Sequence, residues 1–232
     1  MTIWVNGSTM WLTDVVNNKR GRAAAMFSKF LNLDKEKQDR IINAAIKEFA
    51  EKGYDRASTN EIVKEAGISK GLLFHYFQNK KQLFLFAFDY CYELVVDEFY
   101  KKINLQETDF FIRMRQAIIV KMEMLSTYPD IFKFIQEVFM EESAEIKVEF
   151  DKKKSELTHI NIEKAYEGID YSKFRDDVDL TKIIKMISWT FEKMSDEALE
   201  KAKLSPGHEI DYRTIQAEAE AYFEVMIKCF YK

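Results

Sequence analysis

The sequence predicts an all-α fold, and three observations carry that expectation. The 232-residue chain holds only 7 Gly and 2 Pro, too few for the turns that hairpins, sandwiches or parallel α/β sheets require. Apolar residues recur at helical spacing over long stretches. Several of those stretches open on an Asp, Ser or Asn placed to cap a helix. With 47 % hydrophobic residues, the chain can bury a proper core as one large domain or two modest ones. No window approaches 18 uncharged apolar residues, so no membrane span is expected. Cys91 and Cys229 lie too far apart in sequence to suggest a disulfide framework or a Cys-based metal site, and a reducing cytoplasm fits best.

Residues 1–25 show no sustained helical period and are expected to be an added or unstructured leader, with a native N-terminal arm as the competing reading. Asp34 caps a helix over about 35–52, with Ile42, Ala45 and Phe49 on one face and Gly53 at its C-terminus. Ser58-Thr59-Asn60-Glu61 reads as a capping box, the Ser58 hydroxyl accepting from the Glu61 amide and the Glu61 side chain reaching back to the Ser58 N–H. The short helix it opens ends at Ala66-Gly67. Ser69 caps the next helix, about 70–75, and Asn79, with Gln82 three positions on, caps a long helix to about Lys102. Further helices are expected at 109–126, stopped by Tyr128-Pro129, and at 130–142 and 144–164. Glu167 to Asp179 reads as a loop. Asp179 caps a helix carrying Leu180, Ile183, Ile184, Ile187, Phe191 and Met194 as one apolar stripe. The last helix, 211–231, places Ile215, Ala219, Tyr222, Met226 and Phe230 on one face. The total is about nine helices.

Thr59 to Lys80, TNEIVKEAGISKGLLFHYFQNK, has the physics of a helix-turn-helix. Ile62, Val63 and Ala66 form the inner face of its first helix, Gly67 supplies a positive-φ turn residue, Ile68 plugs the junction and Ser69 opens the second helix. The exposed start of that second helix, Lys70, Gly71 and Leu72, would face a DNA major groove, with Gly71 lacking the Cβ that would hold the backbone off base edges. Plainer roles exist for these residues: Ser58 and Ser69 cap helices with or without DNA, His75 alone suits a packed surface, and Lys80 and Lys81 suit a solvated helix start. The DNA reading is favoured because Ala66 to Phe88 contains no Asp or Glu while holding Lys70, Lys80 and Lys81.

The longer run AAIKEFAEKGYDRASTNEIVKEAGISKGLLFHYFQNKKQLF resembles the tetracycline-repressor-like (TetR) transcriptional regulators. The resemblance implies a three-helix helix-turn-helix DNA-binding domain at residues 26–80, joined by the long helix that follows to a larger helical ligand-binding and dimerisation domain at 81–232. By position, Thr59 would bind a phosphate, and Ser69, Lys70, Gly71 and Leu72 would lie along the reading surface. His75 and Tyr76 would touch backbone or a thymine methyl, and Lys80 would pair with a phosphate. Phe74 departs from the pattern, standing where many relatives carry a phosphate-binding Tyr, and is expected to be core or an apolar contact. The resemblance also implies a ligand cavity. The aromatic and Met-rich candidates for its lining are Phe86, Tyr90, Phe110, Met114, Ile118, Met122 and Phe132, with Trp189 in the cavity or the subunit interface, and they suit a hydrophobic or aromatic effector. The last two helices would build a homodimeric four-helix bundle, with Ile183, Ile187, Phe191, Ile215, Tyr222 and Met226 at its interface.

The expected function is therefore a ligand-responsive transcriptional regulator, a repressor, that holds a palindromic double-stranded operator as a homodimer until a small molecule releases it. The alternative is a helical dimeric small-molecule-binding or interaction module without specific DNA binding, motivated by Phe74 and the sparse positive charge. No enzyme, cofactor or metal is expected. Glu156-x-x-His159 occurs once where di-metal sites need two copies, His75, His159 and His208 are the only histidines, and Gly-rich phosphate loops are missing. The net charge of −4 resolves into +3 over residues 1–33, +2 over 34–88 and −9 over 89–232. That polarity fits a mildly basic reader on DNA and an acidic body facing away from it.

Overall fold

Asp34 opens the first long helix through its side chain, which accepts from the Lys37 amide at 2.8 Å. This helix, α1 (Lys35–Arg56), buries Ile41, Ile42, Ala45, Ile46 and Phe49 along one face and breaks at Gly53, whose φ of 67° lies outside helical space. It is followed by α2 (Thr59–Ala66), α3 (Lys70–Phe77), α4 (Lys80–Lys102), α5 (Phe110–Thr127), α6 (Pro129–Met140), α7 (Leu180–Leu204) and α8 (Tyr212–Phe230), with a 3₁₀ turn at Tyr171–Lys173. The computed structural model describes residues 26–151, 166–205 and 211–232. The expected leader at 1–25, most of the helix expected at 144–164, including Glu156 and His159, and His208 lie outside these described residues. Residues 147–151 are helical. The described residues form two compact units: 26–97 with 127–151, and 98–126 with 166–205 and 211–232.

In the first unit, α6 lies along α1. Phe134 stacks on Phe49 with centroids 6.0 Å apart and meets Phe84 of α4 edge-on at 5.4 Å. Pro129 sits at the first turn of α6, where its missing N–H is harmless. Beyond the helix, the Glu141 carboxylate accepts from the Tyr54 amide at 2.8 Å and from the Ser143 amide at 2.9 Å. Glu141 Oε2 lies only 3.3 Å from where a Cβ on Gly53 would stand, so both the left-handed φ and the close carboxylate select glycine there. Ahead of α1, a helical turn at Ser28–Leu31 packs Phe27 and Phe30 against Phe77 and Phe86, with centroids 4.7 to 5.9 Å apart. The Gln38 side-chain amide ties this turn down by donating to the Leu31 and Leu33 carbonyls, each at 2.9 Å.

The second unit packs α5, α7 and α8 around Phe110, Phe111, Met114, Phe174, Ile183, Ile187, Phe191, Met194, Phe223 and Met226. The apolar stripe expected on α7 is this core. Four residues expected at a dimer interface, Ile183, Ile187, Phe191 and Met226, are therefore turned inward, and Ile215 packs against the same cluster. On α8, Phe223 is buried beside Ala219 and Met226, whereas Tyr222, also expected at the interface, is 40 % exposed. Apolar stripes read from sequence do not distinguish packing within a chain from packing between chains, because both bury the same residue types.

The C-terminus is held by Asp109, 6 % exposed, at the start of α5. Its carboxylate accepts from the Ile112 amide at 2.9 Å, the Lys173 ammonium at 2.7 Å and the Tyr231 hydroxyl at 3.2 Å. Phe174 and Tyr231 form an isolated antiparallel bridge. Arg113, also buried, donates to the carbonyls of Leu105, Glu107 and Glu167. Burial opposes ionisation of Asp109, but the Lys173 ammonium and the Ile112 amide outweigh it and hold the carboxyl below its ordinary 3.8. A depressed folded-state pKa stabilises at pH values above the unfolded pKa, and that contribution disappears as pH falls through the folded value. Asp109→Asn is expected to lower unfolding free energy by about 2 kcal/mol at neutral pH. The difference from the parent should shrink below about pH 4, as denaturant titrations at pH 7 and pH 3 would show.

Candidate nucleic-acid interface

The interface candidates lie on α2, α3 and the start of α4. The turn between α2 and α3 is made by Gly67, at φ 66° and ψ 37°, whose amide closes onto the last turn of α2. Its left-handed backbone leaves the turn tight without a Cβ penalty. Ser69 Oγ accepts from the Leu72 amide at 3.3 Å, and Asn79 Oδ1 accepts from the Gln82 amide at 2.8 Å, so both expected caps are formed. The expected capping box is not. Ser58 makes no side-chain cap, and its N–H donates at 2.8 Å to Glu48 of α1 instead of to Glu61. Glu48 is 8 % exposed and also takes the Lys52 ammonium at 3.0 Å. Glu61 faces solvent beside Lys64. A buried acid already within reach of the amide wins over an exposed one that would give up side-chain freedom.

The structure brings Ser69, Lys70, Gly71, Leu72 and His75 together as exposed residues of one short helix. Leu72 is 39 % exposed although apolar, and a Cβ built on Gly71 would meet nothing nearer than Ser69 Oγ at 4.0 Å. The Lys70 ammonium stands 5.9 Å from the Phe74 ring centroid, with Phe74 half-buried. Thr59, also half-buried, is the first residue of α2. Two expected contacts are placed differently. Tyr76 is buried, edge-on to Phe30 at 6.4 Å and to Phe77, so its ring belongs to the core. Lys80 folds back onto its own unit, donating to the Asp55 carbonyl at 3.1 Å over the Tyr54 ring. Lys81 pairs with Glu149 at 2.5 Å.

Between α3 and α4, Gln78 adopts φ 64° and ψ −52° while the Asn79 amide closes onto the Phe77 carbonyl at 2.6 Å. This is a tight γ-turn, a rare conformation for a residue with a side chain. The buried Phe77 on one side and the Asn79 cap on the other hold it in place. Glu48 was detectable in sequence as an acid on the same helical line as Ile41 and Ala45. Nothing in the identity of Gln78 announces its backbone.

The residues expected to line an effector cavity are drawn from both units. Phe86, Tyr90 and Phe132 belong to the first unit, where Phe86 is packed among Phe27, Phe30 and Phe77, and Tyr90 lies under the Lys35 ammonium at 5.6 Å. Phe110, Met114, Ile118 and Met122 belong to the second unit, with Phe110 and Met114 in its core. Trp189 is 53 % exposed, with the Lys185 ammonium 4.9 Å above its ring. Among the described residues, no three His, Cys, Asp or Glu side chains are grouped as a metal site, and no helix is long and apolar enough to cross a membrane.

Two short helices joined by a glycine turn and packed behind by α1, with the second presenting its capped, exposed start, define a helix-turn-helix protein. Residues 41–86 match the family model of the bacterial regulatory proteins, tetR family. The chain carries that family's pattern over this segment. It is similar to the uncharacterized HTH-type transcriptional regulator YuxN of Bacillus subtilis, 48 % identical over 59 residues, which are 25 % of this chain and 20 % of YuxN. It is also similar to IcaR of Staphylococcus epidermidis, a negative transcriptional regulator of the biofilm operon icaADBC, 33 % identical over 60 residues, 26 % of this chain and 32 % of IcaR. The chain thus spans only a fifth to a third of these relatives. At the level of fold it resembles the fatty acid degradation regulator FadR of Bacillus halodurans, with a TM-score of 0.57, 20 % identity, and coverage of 82 % of this chain and 97 % of that one.

Two stability changes test the local physics. Glu48→Ala orphans the Ser58 amide and is expected to cost about 2 kcal/mol in denaturant unfolding. Gln78→Gly releases the positive-φ strain at the expense of unfolded-state entropy, and a net gain near 1 kcal/mol is expected in the same measurement.

Proposed function

We propose that this protein is a ligand-responsive transcriptional regulator, acting as a repressor in the cytoplasm, which binds a palindromic operator as a homodimer through α3. The observation that carries the reading is the acid-free, exposed start of α3, where Ser69, Lys70, Gly71, Leu72 and His75 stand outward on a helix fixed from behind by Leu73, Tyr76 and Phe77. A helix presented in this way suits insertion of its N-terminal residues into a major groove. Thr59 and the amides near Ser69 suit phosphates, and Lys80 can reach one only by leaving the Asp55 carbonyl.

Dimerisation is assigned to the outward faces of α7 and α8. Met186 and Trp189 stand one turn apart on α7, and Tyr222 and Val225 one turn apart on α8, each at least 40 % exposed. A second copy covering these side chains would remove exposed apolar surface and pair two readers for the two halves of a palindrome. A small hydrophobic effector would act by binding better to a conformation whose readers no longer match operator spacing, and its leverage would equal that difference in affinity.

Gly71→Ala separates DNA recognition from folding. The site has room for the methyl group, so thermal stability should be unchanged or slightly raised. Affinity for the DNA upstream of the protein's own gene should fall about tenfold or more in a salt-controlled gel shift, with Lys70→Ala losing a similar factor and discriminating less against unrelated DNA. Wild-type affinity in both variants, or no sequence-selective shift by the parent, would reject the reading.

A further inference from the structure

Helix α5 carries a cation where its pattern calls for an apolar residue. At 100° per residue, Lys121 falls on the line of Phe110, Met114 and Ala117, in the middle of the face that α5 turns to the core of its unit. The N-terminal end of that face is sealed: Phe110, Phe111 and Met114 are buried. Further along it is not. Ala117, Ile118, Lys121, Met122 and Leu125 are adjoining positions on the helix surface, and all five are only half-buried, while Val120 and Met124 on their flank are buried. The seam therefore opens into an apolar strip with one ammonium at its centre.

That ammonium has no hydrogen-bond or ion-pair partner among the described residues. Three other cations of this unit, by contrast, have acid partners. Lys102 meets Glu123 at 3.1 Å, Arg115 meets Glu220 at 2.6 Å and Lys173 meets Asp109 at 2.7 Å. Burial alone lowers the Lys121 pKa, with no neighbouring acid to raise it. An uncompensated cation in an apolar setting is costly, and an anion reaching it would gain a charge-assisted bond in a region of weakened screening.

We propose that Lys121 is the anchor of the effector site and that the effector is an amphiphilic acid, its carboxylate on the Lys121 ammonium and its apolar body along Ala117, Ile118, Met122 and Leu125. The inference rests on the effector-binding part of the function proposed above. It narrows the expected hydrophobic or aromatic molecule to one with an anionic head. Lys121 is the specificity element, since the apolar strip by itself has no means of preferring an acid to an alcohol.

Calorimetric titration of the full-length protein with dodecanoate and 2-naphthoate, each compared with its neutral counterpart 1-dodecanol or 2-naphthol, tests the assignment. The parent should bind at least one acid tenfold or more tightly than its alcohol. Lys121→Met should erase that preference while binding the alcohol as before. Lys121→Gln serves as a second neutral variant should the methionine disturb packing. Binding of neither acid by the parent, equal binding of acid and alcohol, or an acid preference that survives in both variants would overturn the proposal. Gel shifts on ligand-free protein keep the two readings apart. Lys121→Met should hold operator DNA as the parent does. Acid binding that depends on Lys121 without releasing DNA would uphold the site and defeat the regulatory reading.

Discussion

The recognition unit depends on the bond from the Ser58 amide to the buried Glu48 carboxylate. The first amides of any helix lack intrahelical partners, and at α2 one of them, at the cap, is answered from α1 across the bend that follows Gly53. The same carboxylate takes the Lys52 ammonium, so its charge is balanced within one turn of its own helix. With α2 fixed against α1, the Gly67 turn and the Ser69 cap determine where α3 begins, and the exposed residues from Ser69 to His75 inherit their placement from that chain of constraints. On the other side of the bend, Glu141 holds the Tyr54 amide. The region between α1 and α2 is thus held by two carboxylates, one near in sequence and one distant.

The second unit answers the same accounting problem with Asp109 and Arg113. Asp109 gathers an amide, an ammonium and a phenol, while Arg113 gathers three carbonyls from the segments around α5. Each is a buried charge bonded to segments distant in sequence, and together they join the irregular stretch near Phe174 to the start of α5 and the C-terminus. Lys121 stands apart from these two because its charge is left for something outside the described chain to answer.

Helix positions were legible because capping and periodicity are local. Asp34, Ser69, Asn79 and Asp179 all cap where their spacing to the following apolar residues places them. The Ser58 box failed for a tertiary reason, since Glu48 reaches the same amide from another helix. The surroundings of Tyr76 and Phe86 depend on the tertiary fold for a related reason. An aromatic ring in an amphipathic helix serves a core, a cavity or a ligand surface equally well, and only the segment 27–31, which brings Phe30 to Tyr76 and both Phe27 and Phe30 to Phe86, buries the first and packs against the second. The α7 stripe shows the same ambiguity, with Ile187 buried inside the unit and Trp189, two positions on, outside it.

The amino-acid sequence by itself determined the all-helical class, the start of nearly every described helix, the glycine turn and the family pattern around it, because each follows from interactions within a few residues. The tertiary structure decided which apolar faces close on their own chain, which acid serves the Ser58 amide, that Gln78 must take a glycine-like backbone, and that Lys121 meets no counter-charge among the described residues. These depend on groups brought together from distant positions in the chain, and no local spacing records which of several chemically suitable partners arrives first.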